Sequence, residues 1–436
     1  MDSSPATAQL PPLATEAYDI GATEDTLDRM RRDFAALGST YRVTPPGRKV
    51  DTWVIHDPED IKRVLLSNHR NYTKGLGLDR VKILLGNGIM VSEGGFWRRQ
   101  RRMMQPLFHR RVIQNFARVI DDANEQMLAR WDRLAADGEP VDVTDETSEL
   151  ALGIILNALF GEDLDWLTER MGGNPFAMVT QMPERNLQFA YRFRSLTRLV
   201  RELIARRREG AEEHADYVAM LMAARDKETG AQMDERELVD EIMTLVVAGH
   251  ETTAASLNMT WYLLSQHPEA ESRLHAEVDA RPRGGPMSYQ DAEDLAWTQM
   301  VLKEALRLYP PGWLLTRRPL EPDRLGGYDI PAGTDVLLSP YFVHRHPDHW
   351  GEPEAFRPER FTPEAIEARH KFAYFPFAVG PRHCIGENFA MFEMTVHLAR
   401  TAQRFRLHYL DERPIEFEAQ VNLRTRSNLR YRLEPR

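Results

Sequence analysis

The chain carries one cysteine, Cys384, in the run Phe377-Ala378-Val379-Gly380-Pro381-Arg382-His383-Cys384-Ile385-Gly386. A single cysteine cannot close an internal disulfide, and the count excludes four-cysteine zinc sites. Free thiols are most often small buried hydrophobes, and that reading stays open here. The neighbours support another. Gly380 and Gly386 bracket the sulfur, and glycine lets a backbone turn tightly and approach a flat ligand closely. Arg382 puts a fixed cation two residues away, suited to a carboxylate. Backbone amides in such a turn can stabilise a thiolate. A thiolate so presented is a good axial ligand for haem iron.

A second chemical grouping is Ala248-Gly249-His250-Glu251-Thr252-Thr253. Glycine is a poor residue for a helix interior, and threonine hydroxyls can bond back to carbonyls and distort the ladder. A weak point mid-helix is therefore expected. Asp234 and Glu237 have capping-box spacing, and Pro268 supplies a stop. The frame is then a helix of roughly 32 residues, about 48 Å long. A third grouping, Glu304 and Arg307, puts a carboxylate and a guanidinium on neighbouring turns. On a surface such a pair contributes well under ~1 kcal/mol.

Phe377, Gly380, Arg382, Cys384 and Gly386 match the pattern Phe-x-x-Gly-x-Arg-x-Cys-x-Gly, and the loop resembles the haem-binding loop of the cytochrome P450 family. Ala248 to Thr253 is similar to that family's oxygen-activation motif. Glu304 and Arg307, with Arg360 of Pro358-Glu359-Arg360-Phe361, resemble its buried lock. The resemblance implies a mainly α fold with small β-sheets, a triangular helical prism with haem between the long central helix and the Cys-loop helix. It implies a flexible leader over residues 1–21 and a single domain over 22–436.

The resemblance also implies site residues. Cys384 is expected to ligate the iron of haem b, and Trp97, Arg101 and Arg317 to reach its propionates. Trp97 and Arg101 are one helical turn apart and share a face. Phe377, Gly380, Arg382 and Gly386 would hold the cofactor from the loop. Ala248 and Gly249, being small, would leave room for O2 and substrate. Thr252 would hydrogen-bond O2 and steady a water, and Glu251 would relay protons to it. His250 is expected to pack. Trp313 and Leu314, with Ala248 and Thr252, are the candidate substrate contacts.

Hydrophobic spacing predicts the supporting elements. Helices are expected at Thr26–Leu37, from Pro58 to Leu66, at Phe116–Leu134 and at Ser148–Phe160, with a strand at Trp53–Ile55. Leu76–Met90 reads as a loop; it has glycines but no following Lys-Ser/Thr for a phosphate loop. Pro175–Arg208 is a helical pair whose Phe176, Met178, Met182, Phe189, Tyr191 and Phe193 form either ordinary core or a lid over substrate. Arg206–Arg208 reads as a solvated helix end. His344, His346 and His349 have a spacing that imitates metal ligands, though family members carry histidines near here without metal. Ile415–Leu433 reads as a β-hairpin with its tip near Val421 to Leu423.

Of 436 residues, 42% are hydrophobic and 28% charged, which describes a globular chain with a large core. No run reaches the ~20 apolar residues of a membrane span. The net charge of −10 gives no reason to expect nucleic-acid binding. One cysteine and no export signal point to the cytoplasm, and a monomer is expected. Arg98, Arg99 and Arg102 form a local cationic patch, expected to dock a separate ferredoxin or flavodoxin fed by an NAD(P)H-dependent reductase. The resemblance implies monooxygenation, with one atom of O2 inserted into a hydrophobic molecule: terpenoid, steroid-like or fatty acyl. A peroxide-driven peroxygenase or a haem-thiolate isomerase needs no proton relay, so Glu251 and Thr252 argue against both. A haem-based sensor or carrier needs neither relay nor lock.

Overall fold

The longest helix, Glu235–Gln266, starts where the sequence predicts. Asp234 and Glu237 form a reciprocal capping box, and the helix ends at His267, just before Pro268. It is unbroken through Ala248–Thr253. The weak point expected mid-helix shows no interruption, although the Thr252, Thr253 and Ser256 hydroxyls do bond back to carbonyls of the preceding turn. The computed structural model describes residues 9–178, 187–210, 213–411 and 413–436, without the side chains of 79, 80 and 187–192. The fold is mainly α with small sheets.

The chain divides into two compact units. The first gathers the described part of Met1–Leu78 with Lys303–Cys384 and Ile415–Arg426. Its five-stranded sheet runs Thr40–Val43, Thr52–Ile55, Val336–Leu338, Leu315–Pro319, Tyr72–Lys74. Only the Thr52–Ile55/Val336–Leu338 pair is parallel. Helix Thr26–Leu37 forms as predicted and buries Met30 completely. The expected helix from Pro58 is α-helical only to Lys62 and continues as a π-helical turn, Arg63–Ser67. The described part of the expected leader is fastened down. The Ala14 amide donates to Arg42 O at 2.8 Å, and buried Tyr18 donates to Asp33 at 2.7 Å. The C-terminal hairpin is shorter than expected, pairing Phe417–Ala419 with Leu423–Thr425.

The second unit holds Asp79–Leu302, Ile385–Pro414 and Ser427–Arg436. Here Arg430–Pro435 is not part of that hairpin; it is the middle strand between Val141–Asp142 and Phe405–Tyr409. The long helix packs along Val143–Phe160, where a Cβ on Gly249 would lie 3.0 Å from Ile155 Cγ1. Glycine thus lets the two helices approach closely at that level. Some buried polar groups between helices are matched: Thr147 donates to Asn258 at 2.8 Å, and Trp261 donates to His397, whose other ring nitrogen meets Asn124.

Two expectations fail in this unit for identifiable reasons. The stretch read as a loop contains the helix Leu78–Leu85, with Gly77 and Gly86 at its ends in positive-φ conformations. Arg206–Arg208 is not uniformly solvated: Arg207 is buried in an ion cluster with Asp163 and Asp216, at 2.7 Å from each. Two carboxylates and the Phe160 carbonyl satisfy that buried guanidinium. Phe176, Met178 and Phe193 are buried apolar packing. Met182 and the side chains of Phe189 and Tyr191 lie outside the described residues.

Candidate functional site

The cysteine loop is built by two positive-φ residues, Ala378 (58°) and Gly380 (77°). They fold the backbone so that the Ala378 amide donates to Phe375 O at 3.0 Å and the Cys384 amide to Phe377 O at 2.8 Å. Position 380 accepts only glycine. A Cβ there would meet Leu65 O at 2.0 Å, in the π-helical turn beneath the loop. Gly380→Ala is therefore expected to destabilise the first unit by about 2–4 kcal/mol, from positive-φ strain plus overpacking. A urea midpoint equal to wild type would remove this account of the loop. Cys384 itself is an exposed thiol outside any disulfide, while Phe377 and Arg382 are half-buried. Beyond the loop, Gly386 caps the helix Glu387–Arg404.

In the same unit Arg317 is buried on strand Leu315–Pro319, with its Nη1 donating to Thr316 O at 2.8 Å. The strand holds it in register opposite Lys74 on one side and Val336 on the other. Leu314 is half-buried. Trp313 is fully buried, its indole N–H donating to Gln420 O at 2.9 Å, within a core that includes Tyr18, Tyr41 and Phe342. That makes Trp313 a packing residue with no face for a guest.

Glu304 and Arg307 form a bidentate pair of 2.7 and 2.8 Å with both side chains wholly buried. Arg307 also donates to the carbonyls of His344, Pro353 and Ala355. Arg360 approaches Glu304 at 3.4 Å, and the Arg357 amide donates to it at 2.8 Å. All three lock residues of the sequence reading thus converge. Of the three histidines, His344 is buried against this lock, whereas His346 bonds Ser39 at 2.8 Å and its ring packs against His349.

In the second unit, helix Gly94–Met104 carries half-buried Trp97 and buried Arg101 one turn apart. Arg98 is exposed, while Arg99 pairs with Glu237 and Arg102 with Asp226 and Glu228. On the long helix, Ala248 is exposed although most residues around it are buried. Thr252 lies one turn on and donates to Ala248 O at 2.9 Å, which leaves its oxygen free to accept. Glu251 is half-buried on the adjacent position and His250 is buried. Gly249 points elsewhere, towards Ile155.

Sequence reasoning missed a clamp in this unit. Asp240 and Glu241 on the long helix accept the Asn87 and Ile89 amides, each at 2.8 Å. The glycines flanking these residues are explained by it: a Cβ on Gly88 would sit 2.2 Å from Thr244 Oγ1. The signal was present as Gly86 and Gly88 beside an acidic pair eight residues before Ala248, but nothing local ties the two stretches together.

The first unit has a thiol fixed by a closed loop and a buried lock; the second has a helix with an exposed small residue beside an acid and an alcohol. The sequence model of the family described as Cytochrome P450 matches residues 11–194 and 173–430, and the chain belongs to the cytochrome P450 family. As a member it is an oxidoreductase of the monooxygenase class, and the family implies haem, O2 and reducing electrons. It is 36% identical to cyclooctatin synthase of Streptomyces melanosporofaciens, over 87% of this chain and 85% of that one. It is 33% identical to cyclooctat-9-en-7-ol 5-monooxygenase of the same organism, over 80% and 79%. The crystal structure of the cytochrome P450DA heme domain shares the fold, with a TM-score of 0.86 over 98% of both chains at 24% identity. No described helix is long and apolar enough to cross a membrane.

Proposed function

We propose that the chain acts as one haem-thiolate domain that hydroxylates a hydrophobic terpenoid, taking electrons from a separate ferredoxin or flavodoxin supplied by NAD(P)H. The observation that carries this reading is the closed positive-φ loop that presents the exposed Cys384 thiol. The chemistry of the donors suits haem b: the first unit carries one thiol, buried Arg317 and half-buried Arg382, and the second carries buried Arg101 and half-buried Trp97. When bound, haem supplies the iron at which O2 is activated. Cys384 would hold its iron, and Arg101, Arg317, Arg382 and Trp97 would neutralise and orient its carboxylates.

The chain's own part in the chemistry is proton handling and positioning. Ala248 keeps the helix surface low, leaving space beside Thr252. The Thr252 hydroxyl, already donating to Ala248 O, would accept from a water and align it. Glu251, half-buried, would exchange protons between solvent and that water. Steroid-like and fatty acyl substrates were the other expectations. The two relatives named for cyclooctatin and cyclooctat-9-en-7-ol, both terpenoid names, favour the terpenoid class. Leu314 is the remaining pocket candidate from the turn before strand Leu315–Pro319. Arg98 offers the most exposed charge for an acidic redox partner, with Arg99 and Arg102 partly committed to carboxylates. The reading further takes the protein to be a cytoplasmic monomer.

Thr252→Ala is expected to leave substrate binding intact while cutting product formed per NAD(P)H consumed by about tenfold to a hundredfold, at the low end of a lost acid–base contribution. Coupling unchanged from wild type would overturn the relay. Titrating the ferric protein with terpenes, steroids and fatty acids tests the substrate class. A low-to-high-spin shift with a steroid or fatty acid and none with any terpene would reject the terpenoid reading.

A further inference from the structure

His344 is an unexpected link between the lock and the thiol loop, and every contact in the link lies within the first unit. Its side chain is wholly buried. Its Nε2 accepts the Phe375 amide at 2.9 Å, and its Nδ1 lies 3.3 Å from Arg307 O. An amide can only donate, so Nε2 must be unprotonated. The ring proton therefore sits on Nδ1, facing the Arg307 carbonyl. The neutral form agrees with the surroundings: burial first, then the Arg307 charge, hold the ring well below the usual histidine range. The attachment is reciprocal, since the Arg307 guanidinium donates to His344 O at 2.9 Å.

From Phe375 the path runs along the backbone to the Cys384 amide. Phe375 O accepts the Ala378 amide at 3.0 Å, which fixes that positive-φ residue, and Phe377 O accepts the Cys384 amide at 2.8 Å. Phe375 is buried in the same apolar cluster as Leu65, the residue whose carbonyl excludes any side chain at position 380. The His344 ring is held in place by Tyr374 and Phe375 at 5.1 and 5.3 Å between centroids. Tyr374 is in turn tied to Lys303 O at 3.0 Å. The lock thus reaches the cysteine loop through one imidazole.

We propose that His344 is a positioning residue for the Cys384 thiolate, transmitting the rigidity of the Glu304–Arg307 lock to the loop through the Phe375 amide. It rests on the haem-thiolate reading for its consequence, though its mechanical part does not. The two ring nitrogens can be separated by substitution. Asparagine can keep a donor near Nδ1 but does not reach Phe375; glutamine reaches that amide with an acceptor.

The test compares His344→Asn and His344→Gln with wild type in the full-length protein. One readout is hydrogen exchange over residues 375–384; the other is the fraction of the ferrous carbonyl complex with the thiolate-type Soret band. His344→Asn is expected to speed exchange of the loop at least about fivefold, the factor expected from one lost buried amide bond. It is expected to convert to the non-thiolate form faster by a similar factor, and His344→Gln is expected to restore both values towards wild type. Wild-type exchange and spectra in His344→Asn overturn the proposal. So do equal changes in both variants, or failure of both to fold, since each would mean that His344 acts through general packing. If wild type itself lacks the thiolate band, the haem-thiolate reading fails, while the exchange data still decide whether His344 fastens the loop.

Discussion

Replacing Glu304 with alanine is expected to lower the unfolding free energy by about 3–5 kcal/mol, the cost of breaking a buried ion pair from one side. The carboxylate is wholly buried and has three partners. It takes two bonds from Arg307, one from the Arg357 amide, and the charge of Arg360 at 3.4 Å. Removing it strands the Arg307 guanidinium, which still holds three carbonyls and cannot turn out to solvent without releasing them. Arg307 also packs over the Trp350 ring, 4.9 Å from its centroid, which further fixes its plane. Removing Arg307 as well should cost less than the sum of the two single changes, because the wholly buried guanidinium is then no longer stranded. A chemical denaturation midpoint within ~0.5 kcal/mol of wild type for Glu304→Ala would mean that the pair is not the anchor of this unit.

Much of this architecture was legible because it is local. The long helix announced its start through the spacing of Asp234 and Glu237, and both halves of the capping box form. Thr26–Leu37 was set by apolar residues at helical spacing, and the helix has those bounds. The lock was legible only through the resemblance, since Glu304 and Arg307 as a bare pair are indistinguishable from a surface ion pair. What decides their burial is the chain around 344–360, which supplies carbonyls from far along the sequence.

The errors share that cause. Arg207 was read as solvated because three arginines end a helix, yet Asp163 lies 44 residues earlier and reverses the outcome. Trp313 was read as a substrate contact because the resemblance implies one there, but the Gln420 carbonyl captures its indole. The C-terminal stretch, Ile415–Leu433, was read as one hairpin. Strand Arg430–Pro435 instead finds Phe405–Tyr409 as its partner. Periodicity specifies a strand but not which edge it joins. Gly249 is a similar case: its small size was read as room for a ligand, while its Cβ direction shows close helix packing.

Exchanging Cys384 for serine is expected to abolish the thiolate-type carbonyl spectrum and O2-dependent turnover while leaving the fold nearly intact. The fold should tolerate it because the side chain is exposed and the loop is closed by backbone groups. The Cys384 amide bonds Phe377 O whatever the side chain, Gly380 still fits over Leu65 O, and the positive φ of Ala378 is unaffected. An exposed sulfur-to-oxygen change is expected to shift stability by no more than about 0.5 kcal/mol. The chemistry should not tolerate it, because a hydroxyl remains protonated where a thiol is readily ionised, and a neutral oxygen cannot push electron density onto iron as a thiolate does. The two readouts therefore separate: an unchanged melting curve beside a lost spectral band assigns Cys384 to the cofactor. A serine variant that retains the thiolate-type band would place the ligand elsewhere, and with no second cysteine in the chain the haem-thiolate reading would then fall.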